Sequence, residues 1–265
     1  MKKLFIITGA TGGMGYEVAK HFSKDAHLLL LDISLDKLGE VKKELGENVD
    51  VIKFDITNQE NINQVISYVE SKGGFDALLH FAGVSESLGN SELIYKINLI
   101  GTKQLLDALY PYIHSNGVII NTSSMTAHLT PVKPEILELV SNPLDPNFLT
   151  NILPLTQTTT QAYGWSKRGV VEITKQEVSK WGEKHARILS ISPGAIKTPM
   201  VELEMKKNSD AINQLIAVTP MKRIGLPSDI VNLVDFLISD KASFITGIDI
   251  LIDGGATEVF KKYQS

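Results

Sequence analysis

The chain has 265 residues, of which 43% are hydrophobic and 21% are charged, enough to bury the core of one large domain. Lys and Arg number 26 against 30 Asp and Glu, and this net charge of −4 without a long basic stripe argues against a nucleic-acid-binding surface. The lack of cysteine excludes disulfides, thiol nucleophiles and cysteine-ligated metals. No run approaches the roughly 18 apolar residues of a membrane helix, and the run at residues 4–7 is too short for a signal peptide. We therefore expect a cytoplasmic protein with no metal site and no membrane or nucleic-acid partner.

Short apolar runs alternate with amphipathic stretches along the chain. The runs predict seven strands, near residues 4–7, 27–31, 49–54, 75–80, 117–121, 187–191 and 248–252. The intervening stretches predict helices, near residues 16–22, 35–45, 59–71, 90–114, 162–182 and 228–239. This alternation is typical of a parallel sheet with helices on both faces. The sequence therefore predicts a single α/β domain over residues 1–265 with a doubly wound parallel sheet, whose ligands bind at the carboxyl ends of the strands.

A glycine-rich segment joins the first predicted strand to the first predicted helix. Residues 8–15 read Thr-Gly-Ala-Thr-Gly-Gly-Met-Gly, with four glycines in seven positions. Such a turn lets backbone N–H groups and the helix N-terminus approach a pyrophosphate without a Cβ in the way. The alternative is an ordinary glycine-rich turn.

Asp32 ends the second predicted strand at the separation from the glycine turn where dinucleotide-binding folds place an acidic residue. A carboxylate there accepts hydrogen bonds from the adenosine ribose hydroxyls of NAD and repels the 2′-phosphate of NADP. No Lys or Arg occupies residues 13–16 or 33–36 to offset this repulsion, so the sequence predicts NAD as the cofactor. The alternative role for Asp32 is to cap the helix that follows.

Tyr163 and Lys167 are four residues apart in a predicted helix, so their side chains share one face. An unperturbed tyrosine has a pKa of about 10. A neighbouring ammonium favours the phenolate and lowers that pKa, which would make Tyr163 a general acid and base. By itself, such a pair is more typical of helix packing.

Taken in order, these motifs resemble those of the classical short-chain dehydrogenase/reductase family over nearly the whole chain, which implies a Rossmann-type fold. The further matches are Asp55, Ala82-Gly83, Asn98, Asn121-Thr122-Ser123-Ser124, Pro193-Gly194 and Ile252-Asp253-Gly254-Gly255. The resemblance implies a catalytic set of Asn98, Ser124, Tyr163 and Lys167. It implies cofactor contacts from Gly9, Thr11, Gly13, Met14, Gly15, Asp32, Asp55, Ile56, Ala82, Gly83, Tyr163, Lys167, Pro193, Gly194, Ile196 and Thr198.

The family also implies a role for each catalytic residue. Tyr163 exchanges a proton with the substrate oxygen while the nicotinamide exchanges a hydride with the carbon. Ser124 hydrogen-bonds the same oxygen. Lys167 holds the nicotinamide ribose and lowers the pKa of Tyr163, and Asn98 holds a water that connects Lys167 to solvent. The alternatives are that Ser124 only satisfies a strand end and that Asn98 only bonds backbone in its own helix.

His80 and Phe81 occupy positions where the family commonly has two asparagines. This departure removes side-chain bonds that brace the central sheet. We expect His80 to be a core histidine with satisfied hydrogen bonds, outside the site.

Ser124 and Tyr163 are 39 positions apart (163 − 124), where most members have about a dozen residues between them. The implied insertion, at about 127–158, contains five of the ten prolines, and residues 134–140 predict one short helix between two loops. With residues 123–129 and 180–183, it resembles the bacterial 3α-hydroxysteroid dehydrogenase/carbonyl reductase subgroup. That resemblance implies an obstructed helix-bundle contact and a homodimer through another face. A tetramer, or an insertion with no effect on assembly, is the alternative.

Substrate choice is expected to depend on the insertion and on a lid at about 199–221. The apolar residues of the lid are Met200, Leu203, Met205, Ile212, Leu215 and Ile216. They form either a pocket wall or ordinary helix packing. A pocket wall would suit a steroid-like or aromatic molecule.

The sequence therefore predicts an NAD(H)-dependent oxidoreductase that interconverts a hydrophobic secondary alcohol and its ketone or aldehyde. An NADP-dependent 3-oxoacyl reductase is one alternative, which Asp32 and the net negative charge of the chain disfavour. A sugar-nucleotide epimerase or dehydratase would have a differently spaced glycine turn. A dinucleotide-binding sensor without catalysis would not need the four catalytic residues.

Overall fold

The computed structural model describes residues 2–198 and 209–264. In this part of the chain, seven strands form one all-parallel sheet in the order β3-β2-β1-β4-β5-β6-β7. The strands are β1 Leu4–Thr8, β2 His27–Asp32, β3 Val49–Lys53, β4 Phe75–His80, β5 Ile113–Thr122, β6 Arg187–Pro193 and β7 Asp249–Ile252. The predicted Rossmann-type α/β fold is confirmed. The winding direction reverses between β1 and β4, so a crevice opens at their carboxyl ends.

Helices cover both faces of the sheet, and none of those described is long and apolar enough to cross a membrane. The first group is α1 Gly13–Phe22, α2 Leu35–Leu45, α3 Gln59–Ser71, α4 Ser91–Tyr95, α5 Thr102–Leu109 and α6 Thr126–Leu129. The second group is α7 Pro134–Ser141, α8 Phe148–Ile152, α9 Thr159–Gln176, α10 Val178–Glu183, α11 Ser209–Val218, α12 Pro227–Ile238 and α13 Ala256–Gln264.

The central strands are buried on both faces, which explains why they read as continuous apolar runs. In β1, Ile6 packs into one core layer and Ile7 into the other, and both are fully buried. Because successive side chains point to opposite faces of a strand, each central strand contributes to both layers. The sheet is therefore a rigid base for the loops at its carboxyl edge.

The predicted continuous helix over residues 90–114 is wrong. After α4, residues Lys96–Gly101 form a π-helical turn, and α5 ends at Leu109. Pro111 lacks a backbone N–H, and a short 3₁₀ turn around it leads directly into β5 at Ile113. β5 thus begins four residues earlier than predicted, before a register shift against β4.

The insertion folds as a small helical layer on α9 and α4. The predicted helix is confirmed as α7, but a second helix, α8, was not predicted. Ile136 and Val140 of α7 are buried, and Trp165 of α9 donates its indole N–H to the carbonyl of Pro131 at 2.9 Å. Phe148 of α8 packs edge-on against Tyr95 of α4, with ring centroids 5.6 Å apart.

Part of the predicted lid lies outside the described residues. Positions 199–208, which include Met200, Leu203 and Met205, are not described. Leu215 and Ile216 lie on α11 and are partly buried.

Candidate active site

Most of the predicted site residues meet at the carboxyl edge of the sheet, in a cleft formed by two adjoining cavities of about 410 and 340 Å³. The larger cavity is lined by Gly13, Met14, Gly15, Ser124, Tyr163, Lys167, Pro193, Gly194 and Thr198. The smaller is lined by Asp32, Asp55, Ile56 and Ala82. Both are lined by Gly9, Thr11, Gly12, Lys37, Phe81, Gly83 and Val84. Ser124, Tyr163 and Lys167 are therefore in one half of the cleft and Asp32 is in the other, as a dinucleotide requires.

The glycine turn is shaped by backbone contacts that leave no room for side chains. Gly9 has a φ of +64°, and a Cβ there would be 2.9 Å from the backbone nitrogen of Ala82. A Cβ on Gly15 would overlap the carbonyl oxygen of Gly9. α1 starts at Gly13 with no acidic residue in its first turn. Its N-terminus therefore offers N–H groups and a partial positive charge where a pyrophosphate would lie, and the residues fit a dinucleotide.

Asp32 is held against the glycine turn, because its Oδ2 atom accepts a hydrogen bond from the backbone N–H of Thr11 at 3.0 Å. The alternative role as a helix cap is wrong, since Ser34 is the N-cap of α2. The Ser34 hydroxyl accepts the N–H of Lys37 at 3.4 Å. Asp32 is thus positioned at the cleft and remains a candidate for the ribose contact.

Lys37 is a cleft residue that the sequence prediction missed. It lies in the first turn of α2, is exposed, and lines both cavities. The prediction of NAD considered basic residues only up to position 36. A helix brings its third residue back toward the strand end that precedes it, so the first turn of the predicted helix at residues 35–45 already indicates Lys37. An ammonium at this position is opposite in charge to the 2′-phosphate of NADP, unlike the carboxylate of Asp32.

Lys167 is buried at the floor of the larger cavity. Its Nζ donates to the carbonyl of Thr122, the last residue of β5, at 2.9 Å. Ser123 donates its hydroxyl to the carbonyl of Lys167 at 2.8 Å, so α9 and the end of β5 are tied in both directions. Burial lowers the pKa of Lys167 to about 8. At neutral pH the group is therefore still mainly the ammonium, although it loses its proton more readily than an exposed lysine.

The pKa of Tyr163 differs from the prediction. Burial raises it, the hydrogen bond with Ser124 opposes the rise, and the charge of Glu86 adds to it. Lys167 lies with its Nζ 5.9 Å from the centroid of the Tyr163 ring and bonds Thr122 instead of the phenol. The predicted lowering by Lys167 is therefore wrong for the protein alone, because burial is the dominant effect.

Asn98 lies in the π-helical turn, a feature that often marks functional sites. Its Oδ1 accepts the N–H of Val84 at 2.8 Å, and its Nδ2 donates to the Val84 carbonyl at 2.9 Å. The alternative that Asn98 bonds only its own helix is wrong. A Cβ on Gly83 would be 3.2 Å from both Asn98 Oδ1 and Lys167 Nζ, so Asn98 lies directly behind the cleft wall. The water-holding role stays a prediction.

His80 is a core histidine with both ring nitrogens bonded, as expected. The hydroxyl of Thr102 donates to the Asn98 carbonyl at 2.8 Å and therefore accepts from His80 Nε2 at 2.9 Å. Nδ1 then accepts from the Thr8 hydroxyl at 2.7 Å, and Thr8 accepts the N–H of Ala82 at 3.0 Å. Burial, with the Lys167 charge, lowers the pKa of His80 to about 3, so the ring is neutral. The expected loss of bracing is therefore wrong, since His80 braces β1, β4 and the π-helical turn.

Ile196 is the predicted cofactor residue that the structure does not bring to the cleft. It is buried, pairs with Gly225 in an isolated parallel bridge, and lines a separate cavity of about 210 Å³. Asp55 does reach the cleft, where its Oδ1 accepts the N–H of Thr57 at 2.9 Å. The resemblance supplied the position of Ile196 but not the direction of its side chain.

Known proteins with similar sequences match this chain over nearly its full length. The family described as short chain dehydrogenase matches residues 3–133, and the one described as Enoyl-(Acyl carrier protein) reductase matches residues 154–257. A short-chain dehydrogenase/reductase of Alternaria brassicicola is 30% identical, with 95% of this chain and 94% of that protein covered. A 3-oxoacyl-[acyl-carrier-protein] reductase of Thermotoga maritima is 28% identical, with 96% and 97% covered.

Solved structures include relatives with either nicotinamide cofactor. A 4-hydroxyisoleucine dehydrogenase complexed with NADH has a TM-score of 0.77 and 27% identity, covering 97% of this chain and 99% of that one. The protein ElxO with NADP bound has a TM-score of 0.76 and 26% identity, covering 97% and 100%. Members of the family bind a nicotinamide dinucleotide, which the cleft fits. The chain belongs to the short-chain dehydrogenase/reductase family of oxidoreductases.

Proposed function

We propose that this protein is an NAD(H)-dependent oxidoreductase that interconverts a hydrophobic secondary alcohol and the corresponding ketone or aldehyde. The observation that carries the proposal is the convergence of Ser124, Tyr163 and Lys167 in the same cleft as the glycine turn and Asp32. A module that only bound the dinucleotide would need the turn and Asp32 but not the phenol. The presence of Tyr163 in the cleft therefore disfavours the alternative of a dinucleotide-binding sensor without catalysis.

In this proposal each catalytic candidate has a separate task. When bound, the nicotinamide supplies or accepts the hydride. Tyr163 transfers a proton at the substrate oxygen, and Ser124 hydrogen-bonds that oxygen and the phenol. Lys167 uses one N–H for the Thr122 carbonyl, which leaves two for ribose hydroxyls. Burial of Tyr163 keeps it protonated, which favours carbonyl reduction by the protein at neutral pH.

The hydrophobic substrate is proposed from the insertion and from apolar groups at the cleft. The cleft is lined by Met14, Phe81 and Val84 as well as by polar groups. The helical layer on α9 fits the resemblance to bacterial 3α-hydroxysteroid dehydrogenase/carbonyl reductases. The test is the initial rate at 340 nm with NADH over steroid ketones, aromatic ketones, diketones and small sugars. Turnover of an apolar ketone supports the proposal, and turnover of sugars alone contradicts it.

A 3-oxoacyl reductase is the second candidate, favoured by the similarity to the Thermotoga maritima protein. Such an enzyme reduces a carbonyl with the same Ser124, Tyr163 and Lys167. Acetoacetyl thioesters in the same assay separate the two functions. Faster turnover of the thioester than of every apolar ketone would replace the first proposal.

NAD preference is proposed from Asp32, and Lys37 limits it. We expect Asp32→Ala to lower the NADH to NADPH ratio of kcat/KM about tenfold, because the repulsion of the 2′-phosphate disappears. Lys37→Ala should raise the NADH to NADPH ratio about threefold, because it removes the cation that would pair with the 2′-phosphate of NADPH. An exposed ion pair contributes up to about 1 kcal/mol. Lys43→Ala, an exposed control on the same helix, should leave it unchanged. An unchanged ratio in Asp32→Ala would contradict the ribose contact.

A homodimer is proposed because the insertion covers α9 while another face is apolar and exposed. β7 is the last strand of the described sheet, and Phe236, Phe244 and Ile248 beside it are exposed. We expect light scattering after size exclusion to give twice the chain mass of 29.1 kDa. Phe244→Asp should give a monomer, whereas Leu144→Asp, on the insertion, should stay dimeric. A tetrameric wild type would count against the proposal.

A further inference from the structure

Asp249 is a buried carboxylate on β7 that the proposed reaction does not use. Its side chain is 5% exposed. It accepts hydrogen bonds from Ser190 at 2.5 Å, from Ser192 at 2.7 Å and from Nε2 of His128 at 2.7 Å. Burial raises the pKa of the Asp249 carboxyl, but these bonds outweigh it and leave the pKa below its ordinary value. A buried charge is costly unless it is paired, so this arrangement is strongly specified.

The three partners of Asp249 belong to the two chain segments that build the catalytic half of the cleft. His128 is on α6, four residues after Ser124. Ser192 immediately precedes Pro193, which lines the cleft. Nε2 of His128 also lies 3.2 Å from the Ser192 hydroxyl. Asp249 therefore joins the segment that carries Ser124 to the strand end that carries Pro193.

The link from α6 to Ser124 is short and made of backbone groups. The N–H of Thr126 donates to the Ser124 hydroxyl oxygen at 3.2 Å. The N–H of Ala127 donates to the Ser124 carbonyl at 3.0 Å, and that of His128 to the Met125 carbonyl at 3.0 Å. A four-residue helix is too short to be stable by itself, so its position depends on tertiary contacts such as His128 to Asp249. A shift of α6 would move the donors that orient Ser124.

We propose that His128 and Asp249 are positioning residues, which hold α6 so that the Ser124 hydroxyl, which accepts the N–H of Thr126, stays directed toward Tyr163 in the cleft. The inference rests on the proposed function for its catalytic consequence. The bond itself needs only an N–H on Nε2, which both the neutral and the protonated ring can supply. It is therefore present above the lowered pKa of Asp249 and is lost as the pH falls through it.

Among the residues that the structure describes, few groups face the two ends of this link. On Asp249 they are Ser190 and Ser192 from β6 and His128 from α6. On Tyr163 they are Ser124, Glu86 and, from α9 itself, Lys167. At pH 7 the buried phenol of Tyr163 is protonated, so loss of the Ser124 interaction should change the environment of the phenol hydroxyl without changing its ionisation. This gives a signature that a general loss of stability would not produce.

The test is the ¹³Cζ resonance of Tyr163 at pH 7 in tyrosine-labelled protein, assigned with Tyr163→Phe. We expect His128→Ala to move it most of the way to its position in Ser124→Ala. His128→Gln, whose amide N–H can replace Nε2–H, should retain the wild-type position. His21→Ala should leave the resonance unchanged, since it removes an exposed His–Asp pair, the 3.1 Å contact between His21 and Asp235.

Kinetics supply the second readout. With NADH and the best ketone of the panel, His128→Ala should lower kcat about tenfold and leave KM for NADH within twofold, with rescue by His128→Gln. An unmoved Tyr163 resonance in a folded His128→Ala protein overturns the inference. If that variant does not fold, Asp249→Asn is measured in its place with the same expectations. The Tyr163 resonance can be measured without turnover. An inactive wild-type protein would therefore overturn the proposed function, while the resonance would still test the positioning role of His128 and Asp249.

Discussion

Tyr163→Phe is expected to lower kcat about a thousandfold, because it removes the only group proposed to transfer a proton at the substrate oxygen. The variant keeps the ring and its packing on α9, so NADH binding should stay within a few-fold. NADH fluorescence titration and the rate at 340 nm measure the two effects separately.

Tyr68→Phe is the matched control for this experiment. It removes a hydroxyl that donates to Asp50 at 2.6 Å, near the amino-terminal edge of the sheet. The amino ends of the strands are opposite the carboxyl ends that form the cleft, so kcat should be unchanged in Tyr68→Phe. Full activity of Tyr163→Phe would exclude Tyr163 as the acid and base. Loss of activity in both variants would point to general destabilisation.

Gly15→Ala is expected to raise the Kd for NADH at least about a hundredfold, or about 2.7 kcal/mol. The new Cβ would overlap the Gly9 carbonyl oxygen and lie 2.9 Å from the Gly9 carbonyl carbon. Both contacts are with backbone, which cannot rotate away. The glycine turn must therefore open, which displaces the N–H groups proposed to bind the pyrophosphate.

Gly39→Ala serves as the control because a Cβ there would meet nothing within 4 Å. Gly39 lies inside α2, where alanine should stabilise the protein by about 0.5–1 kcal/mol and leave the Kd unchanged. Both variants are compared at a temperature where circular dichroism shows native helix content. Tight NADH binding by folded Gly15→Ala would contradict the assigned role of the turn.

Features that depend on local residue type could be predicted from the sequence. Buried parallel strands require continuous apolar runs, and a turn without room for Cβ atoms requires glycine. The four-residue spacing of Tyr163 and Lys167 places both on one face of α9. The start of α7 at Pro134 follows from the fixed φ of proline. For these reasons the sheet and most helices were predicted correctly, and most of the predicted site residues line the cleft.

Features that depend on burial and on distant contacts could not be predicted in this way. The pKa of Tyr163 is raised because desolvation dominates, and burial is a property of the packed protein. Ile196 is turned away from the cleft by its packing against Gly225. No spacing rule indicates that His80 takes over the bracing of the sheet.

The sequence by itself determined the order of the elements, the glycine turn and the shared helix face of Tyr163 and Lys167, because each follows from sterics within a few residues. The other catalytic candidates, Asn98 and Ser124, came from the resemblance of the motifs to a known family. Only the tertiary structure decided that His128 meets Asp249, 121 positions later in the chain. Only the tertiary structure decided that Ile196 packs against Gly225 and lies outside the cleft. Such contacts form when the sheet aligns separate strand ends, and the burial and charge that result then set the chemistry of the site.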